Sequence, residues 1–140
     1  MGAAMKLHFE VSGEDFTRAG EASAKVKSKL RQIGIDPNVV RKVAIALYEG
    51  EINLVIHAGG GEIFVEISPE EINMVLKDEG PGIADVEKAM TAGYSTASEN
   101  IRSLGFGAGM GLPNMKKYTD EMRIETELGK GTTIYMKVKL

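Results

Sequence analysis

An α+β fold, with helices packed on one face of a sheet, is predicted by three features of the sequence. Several short segments alternate apolar and polar residues with period two, as half-buried strands do. Two longer segments repeat apolar residues at helical spacing. The strand signals cluster into hairpins separated by helical stretches, which is the layering of an α+β domain.

Leu7-His8-Phe9-Glu10-Val11 alternates and reads as a strand that Gly13 ends. Glu14 to Ile33 places Phe16, Ala19, Ala22, Val26 and Leu30 at helical spacing and reads as a helix stopped near Gly34. Asp36-Pro37 starts a second helix: an aspartate can cap free amides, and proline is harmless in a first turn. That helix runs to about Ala58. Val40, Val43, Leu47 and Leu54 form one apolar stripe, and Ile45, Tyr48, Ile52, Val55 and Ile56 cover much of the other side. Such a helix is expected to be buried on more than one side. Glu49, Asn53 and His57 share one of its edges. Gly59-Gly60-Gly61 then turns the chain.

Glu62 to Ile67 alternates with Ile63, Val65 and Ile67 on one face, and Ser68-Pro69-Glu70 makes a turn. In the next strand Ile72, Met74, Leu76 and Asp78 share a face, so Asp78 is expected to face inward at the strand's end. Asp85 can cap a short helix through Met90. Ala92 to Leu104 has little periodicity and reads as a mobile segment suited to closing over a ligand. Gly105 to Gly111 is a loop, and Leu112 to about Tyr118 a helix. Met122 to Thr126 and Thr132 to Leu140 are strands joined by the Gly129-Lys130-Gly131 turn, with Thr132, Ile134, Met136 and Val138 on one face.

The bulk properties bound the function. A length of 140 residues suits one domain, read as residues 1–140. A net charge of -3 is a poor footprint for direct nucleic-acid binding. With no cysteine there is no disulfide framework and no thiolate metal site. No apolar run reaches the roughly 18 residues of a spanning helix, and Lys6 stands where a myristoylation signal wants Ser or Thr. A cytoplasmic protein without a membrane partner is the expectation.

Four constellations carry chemistry. Glu49 and Asn53 lie one helical turn apart, so a carboxamide oxygen for Mg²⁺ and a carboxylate able to take a proton can share a site. Taken alone, the pair equally fits a solvated helix edge, and His57 fits a cap or packing residue. Asp78-Glu79-Gly80-Pro81-Gly82 puts a carboxylate where it can accept a hydrogen bond from the exocyclic amine of a purine, with glycines that let backbone approach a flat base. Its other reading is a plain turn after a strand. Gly105-Phe106-Gly107-Ala108-Gly109-Met110-Gly111 precedes a helix, and its amides can cradle phosphate. The loop is neither a dinucleotide fingerprint nor a Walker loop, and its alternative is a surface hinge. Gly129-Lys130-Gly131-Thr132 is explained as a hairpin turn, but the Thr132 hydroxyl is expected to face inward beside Asp78. Lys116 and Lys117 lie near the phosphate loop or on a solvated helix face, and Met74, Met90, Met110 and Met115 read as packing residues.

Taken together, these blocks resemble the GHKL or Bergerat ATP-binding superfamily of histidine kinases and gyrase-type ATPases. Within it they resemble most the small anti-sigma factors and switch-type serine/threonine protein kinases. Glu49-Gly50-Glu51-Ile52-Asn53 with His57-Ala58 matches the N box, and Asp78-Glu79-Gly80-Pro81-Gly82-Ile83 the first glycine box. Gly93-Tyr94-Ser95-Thr96 resembles the start of the lid. Gly105 to Leu112 matches the second glycine box and Gly129 to Thr132 the last block. The resemblance covers nearly the whole chain. It departs at Leu54, where alanine is common, and it leaves no room for a phosphoacceptor-histidine helix pair, a sensor domain or a gyrase-type transducer domain.

The resemblance implies a two-layer α/β sandwich with a mixed, mostly antiparallel sheet, and ATP and Mg²⁺ as cofactors. Asn53 would hold Mg²⁺, Glu49 would act as base, and Asp78 would accept from adenine with Thr132 assisting. Gly80, Gly82 and Ile83 would line the base. Gly105, Phe106, Gly107, Ala108, Gly109, Met110, Gly111 and Leu112 would surround the phosphates, with Lys116 nearby. The implied partner is a STAS-domain antagonist phosphorylated on serine or threonine, with a sigma factor and a homodimer also in the family's repertoire. The alternatives are a nucleotide-gated module that sequesters a regulator, and a slow stand-alone ATPase.

Overall fold

The computed structural model describes residues 5–12, 19–57, 59–80, 111–127 and 129–140. Five strands form one sheet: β1 (Met5–Ser12), β2 (Gly60–Ile67), β3 (Glu71–Lys77), β4 (Glu121–Glu127) and β5 (Gly131–Lys139). Their spatial order is β1-β2-β3-β5-β4, and every one of these four pairings is antiparallel. Among the described residues, three helices, α1 (Glu21–Gln32), α2 (Pro37–His57) and α3 (Gly111–Lys117), pack in the second layer.

Alternation decides which face of the sheet is covered. Ile63, Val65 and Ile67 of β2, Ile72, Met74 and Leu76 of β3, and Ile134, Met136 and Val138 of β5 are all buried. They form one cluster with Val26 and Leu30 of α1, Val40, Val43, Leu47 and Leu54 of α2, and Leu112 and Met115 of α3. Each such aliphatic side chain contributes about 1.5–3 kcal/mol when removed from water. The opposite sheet face carries the polar residues of the alternation, among them His8, Glu62 and Glu66, and is not covered by the helices.

The β2–β3 hairpin follows the sequence pattern. Ile67 pairs with Ile72, and the Ser68 hydroxyl accepts the Glu70 and Glu71 amides across the turn. The Gly129-Lys130-Gly131 turn also holds, with both glycines at positive φ, 78° and 127°.

One expectation needs correction. The first helix does not run from Glu14: it begins at Glu21, because Gly20 adopts φ 94° and breaks helical continuity, leaving Ala19 in a turn. Helix α2 is buried on more than one side, as its pattern predicts: Val43, Leu47 and Leu54 enter the core and Glu51 is buried against α1. Ile52 and Val55 are buried, but Tyr48 is 41% exposed and Ile45 is half-buried. Gly13, Phe16, the segment expected to form a short helix from Asp85 to Met90, and the expected mobile stretch from Ala92 to Leu104 lie outside the described residues.

Candidate nucleotide site

The site is built at the end of the sheet where β3 and β5 leave their ladder. β3 ends at Lys77, so Asp78 stands just past the strand rather than within it. It nevertheless continues the pairing. The Asp78 amide donates to the Thr132 carbonyl at 2.9 Å. In return, the Thr132 amide donates to Asp78 Oδ1 at 3.1 Å, so a carboxylate oxygen accepts in place of a main-chain carbonyl. The Gly80 amide donates to the same Oδ1 at 2.9 Å. Both bonds use one oxygen, and among the described residues Oδ2 takes none. The carboxylate is therefore oriented by the fold through one of its two oxygens.

Glycines make this arrangement possible. A Cβ on Gly131 would lie 2.2 Å from the Asp78 carbonyl oxygen and 2.9 Å from Glu79 Cα. The glycine is thus required by close backbone approach as well as by the turn. A Cβ on Gly61 would meet the Lys77 carbonyl oxygen at 2.4 Å, Leu54 Cδ2 at 3.0 Å and Asp78 Cβ at 3.3 Å. Gly61 is where α2, next to Asn53, comes down onto the strand that delivers Asp78. The leucine at position 54 is buried there against the bare face of Gly61.

Thr132 is buried, and its hydroxyl lies 2.9 Å from that of Thr126, its cross-strand partner. Thr126 escapes a sequence reading that looks only for glycine and acidic blocks. Its signal is the cross-strand register of a β4–β5 hairpin closed by a tight turn. Asp78, Thr126, Gly131 and Thr132 border an open groove of about 340 Å³ whose other walls are Lys77, Glu79, Glu125, Glu127, Lys130 and Thr133, several of them on the polar sheet face. Glu49 and Asn53 are not among its lining residues.

Those two residues occupy the neighbouring edge of α2. Glu49 is half-buried and accepts a hydrogen bond from Asn114 Nδ2 at 3.3 Å, so the carboxylate is tied to α3. Asn53, one turn on, is half-buried and has no hydrogen-bond partner among the described residues. Gly50 lets the helix close on the sheet: a Cβ there would lie 2.3 Å from Leu76 Cδ2 and 3.3 Å from Met115 Sδ. Leu112 and Met115 have their side chains in the core, and Lys116 is exposed.

Gly80 belongs to the Asp78 turn, and Gly111 opens α3. Gly82, Ile83, Gly105, Phe106, Gly107, Ala108, Gly109 and Met110 lie outside the described residues, as do the side chain of His57 and the Gly93 to Thr96 block. Among the described residues no group of three or more His, Cys, Asp or Glu side chains could hold a metal. No helix there is long and apolar enough to cross a membrane.

Two functional-looking residues were not singled out from the sequence. Asn114 follows the last glycine block and touches Glu49. Glu51, inside the N box, is only 2% exposed and accepts the Ala22 and Ser23 amides at 3.1 and 3.0 Å. Its signal was available: an acid on an otherwise apolar side of a helix must find donors.

Comparison with known proteins agrees with this architecture. Over 147 residues the chain is 33% identical to a protein named anti-sigma F factor from Clostridium novyi, spanning 99% of this chain and 96% of that one. It is 30% identical over 108 residues to the serine/threonine-protein kinase RsbT of Bacillus subtilis, spanning 74% and 75%. Among solved structures, the RsbU and RsbW domains of a Mycobacterium tuberculosis protein superpose with a TM-score of 0.65 at 17% identity, over 97% of this chain and 32% of that one. A mycobacterial sensor histidine kinase, MprB, gives 0.55 at 17% identity, over 96% and 97%. Residues 14–138 match the family described as the histidine kinase-like ATPase domain, and the chain belongs to that family.

Proposed function

We propose that this chain binds ATP with Mg²⁺ and acts as a serine/threonine protein kinase of the anti-sigma or switch type, with a STAS-domain antagonist as its substrate. The observation that carries the reading is the state of Asp78. Oδ1 is fixed by the amides of Gly80 and Thr132, while Oδ2 takes no bond from the described residues and can accept from a ligand. An adenine amine is a donor of the right kind, and Thr132, buried beside Asp78, brings a hydroxyl to the same sheet end.

The residues present fit the metal as well. A half-buried carboxamide without a partner among the described residues can lend its oxygen to Mg²⁺, a cation that keeps most of its shell as water and phosphate oxygen. Asn53 is that residue. When bound, Mg²⁺ supplies charge neutralisation for phosphoryl transfer. Glu49, held by Asn114, accepts the proton of the attacking hydroxyl as the new P–O bond forms and ADP leaves. A phosphate added to the partner brings nearly two negative charges to its surface, enough to part an interface.

The relatives named anti-sigma F factor favour a second reading, nucleotide-gated sequestration of a sigma factor with little catalysis. Incubation with γ-labelled ATP and candidate STAS proteins separates the two. Label on a partner serine or threonine that disappears in Glu49→Ala supports the kinase. A stable complex that never becomes labelled contradicts it and supports sequestration.

A further inference from the structure

We infer that Glu51 is a positioning residue: its buried carboxylate seats α1 on α2 and thereby fixes the Glu49–Asn53 edge that handles nucleotide. The inference rests on the nucleotide reading above.

The first turn of a helix carries amides with no partner inside the helix. In α1 the residue before the first turn is Gly20, which has no side chain to cap them. The caps come instead from α2, 28 and 29 residues away, where the two oxygens of Glu51 take one amide each, from Ser23 and Ala22. These are charge-assisted bonds at the positive end of a helix. They are also what makes a carboxylate tolerable at 2% exposure, since the same charge without donors would be strongly destabilising. Tyr48 completes the seat one turn earlier on α2. Its Cε2 lies 2.9 Å from where a Gly20 Cβ would be, so the bare backbone of Gly20 rests on the ring.

Helical geometry connects this seat to the reactive edge. At about 100° per residue, Glu49 and Asn53 each stand about 160° around α2 from Glu51. One side of these two turns is clamped to α1 by Glu51, and the other holds Glu49 against Asn114. Between them Gly50 is pressed onto Leu76. A segment gripped on both sides can shift only as a unit, so releasing the Glu51 clamp moves Glu49 and Asn53 with it.

The test compares the wild type with Glu51→Ala, Glu51→Gln and Ser23→Ala. Melting temperature, Mg·ATP affinity and kcat and KM for phosphoryl transfer are read at a temperature where all are folded. Ser23→Ala is the structural control. It removes the hydroxyl bond to the Gly20 carbonyl, 2.9 Å long, and leaves the amide that Glu51 accepts. The expected result is a fall in kcat of about tenfold or more in Glu51→Ala, since a shift of about 1 Å can cost about 100-fold in rate. Glu51→Gln keeps one carbonyl oxygen as an acceptor and recovers part of that loss. Ser23→Ala lowers the melting temperature and leaves kcat unchanged. If Glu51→Ala does not fold, Glu51→Gln carries the comparison, and a reduced kcat in a folded Gln variant supports the inference. Glu51 variants with wild-type kcat and affinity overturn the positioning role alone. A wild-type protein that binds no Mg·ATP overturns the nucleotide reading, and the positioning role with it.

Discussion

Asp78 and Thr132 exchange two hydrogen bonds, one main chain to main chain at 2.9 Å and one from the Thr132 amide to the Asp78 carboxylate at 3.1 Å. A side chain thus finishes the β3–β5 ladder, and the residue assigned to the base is also part of the fold. That double role makes the choice of substitution decisive.

Asp78→Asn keeps an oxygen for the Gly80 and Thr132 amides, so the fold should survive at a cost of about 1 kcal/mol, the difference between a charged and a neutral acceptor. Its other atom becomes an NH₂ donor facing an amine. ATP affinity should fall about tenfold or more, as expected when one acceptor is replaced by a donor facing the amine. Thermal unfolding alongside calorimetric titration separates the two effects, and undiminished affinity contradicts the base contact.

Two glycine substitutions should differ sharply. Gly131→Ala puts a methyl group against the Asp78 carbonyl at a residue whose φ is 127°, so backbone must move, and the loss should be about 2 kcal/mol or more. Gly50→Ala meets Leu76 Cδ2, the far end of a side chain, and gains about 1 kcal/mol of helix propensity. Its net cost should be clearly smaller. Denaturant unfolding of both variants checks the order, and equal losses contradict it.

Much of this was legible beforehand, for reasons visible in particular residues. Ile63, Val65, Ile67, Ile72, Met74 and Leu76 announce the hairpin, because alternation encodes which face meets the core. The glycine and acidic blocks marked the candidate nucleotide site, of which Asp78, Gly80, Gly131 and Thr132 are brought together. What escaped depends on contacts between distant segments. Helix α1 begins late because of the backbone angle at Gly20, which helical spacing in Phe16 and Ala19 does not reveal. Glu51 announces a need for donors in the sequence, but that these are the amides of Ala22 and Ser23 in the first turn of α1 is known only from the fold. Gly131 reads as turn chemistry, whereas its tightest constraint comes from Asp78, 53 residues earlier.

Glu49→Gln retains an oxygen for Asn114 and loses the proton acceptor. Phosphoryl transfer should drop by about 100-fold or more while ATP affinity holds within roughly twofold. Asn114→Ala frees Glu49 without removing it and should cost about tenfold in kcat. Single-turnover kinetics distinguish these, and a Glu49→Gln variant with full activity contradicts the assignment of the base.

On the open sheet face, Lys137 lies 3.4 Å from Glu71 and 3.3 Å from Glu121. The Asn73 side-chain bond, aided by Lys137, holds the Glu71 carboxyl below its ordinary value of 4.5. A depressed carboxyl stabilises the fold above its unfolded pKa, and this is lost as pH falls through the lower, folded value. The advantage of wild type over Glu71→Gln should therefore be full at neutral pH and fade below about 4.5, and salt should shrink it. An advantage unchanged between neutral and strongly acidic pH contradicts this.

Calorimetric titration of the full chain with Mg·ATP, repeated on Asp78→Asn and Asn53→Ala, tests the nucleotide site most directly. Saturable binding by the wild type, weakened about tenfold in Asp78→Asn at both high and low Mg²⁺ and weakened in Asn53→Ala only when Mg²⁺ is present, is the predicted result. A wild type that takes up no ATP, or variants that bind it as tightly as the wild type does, would contradict it.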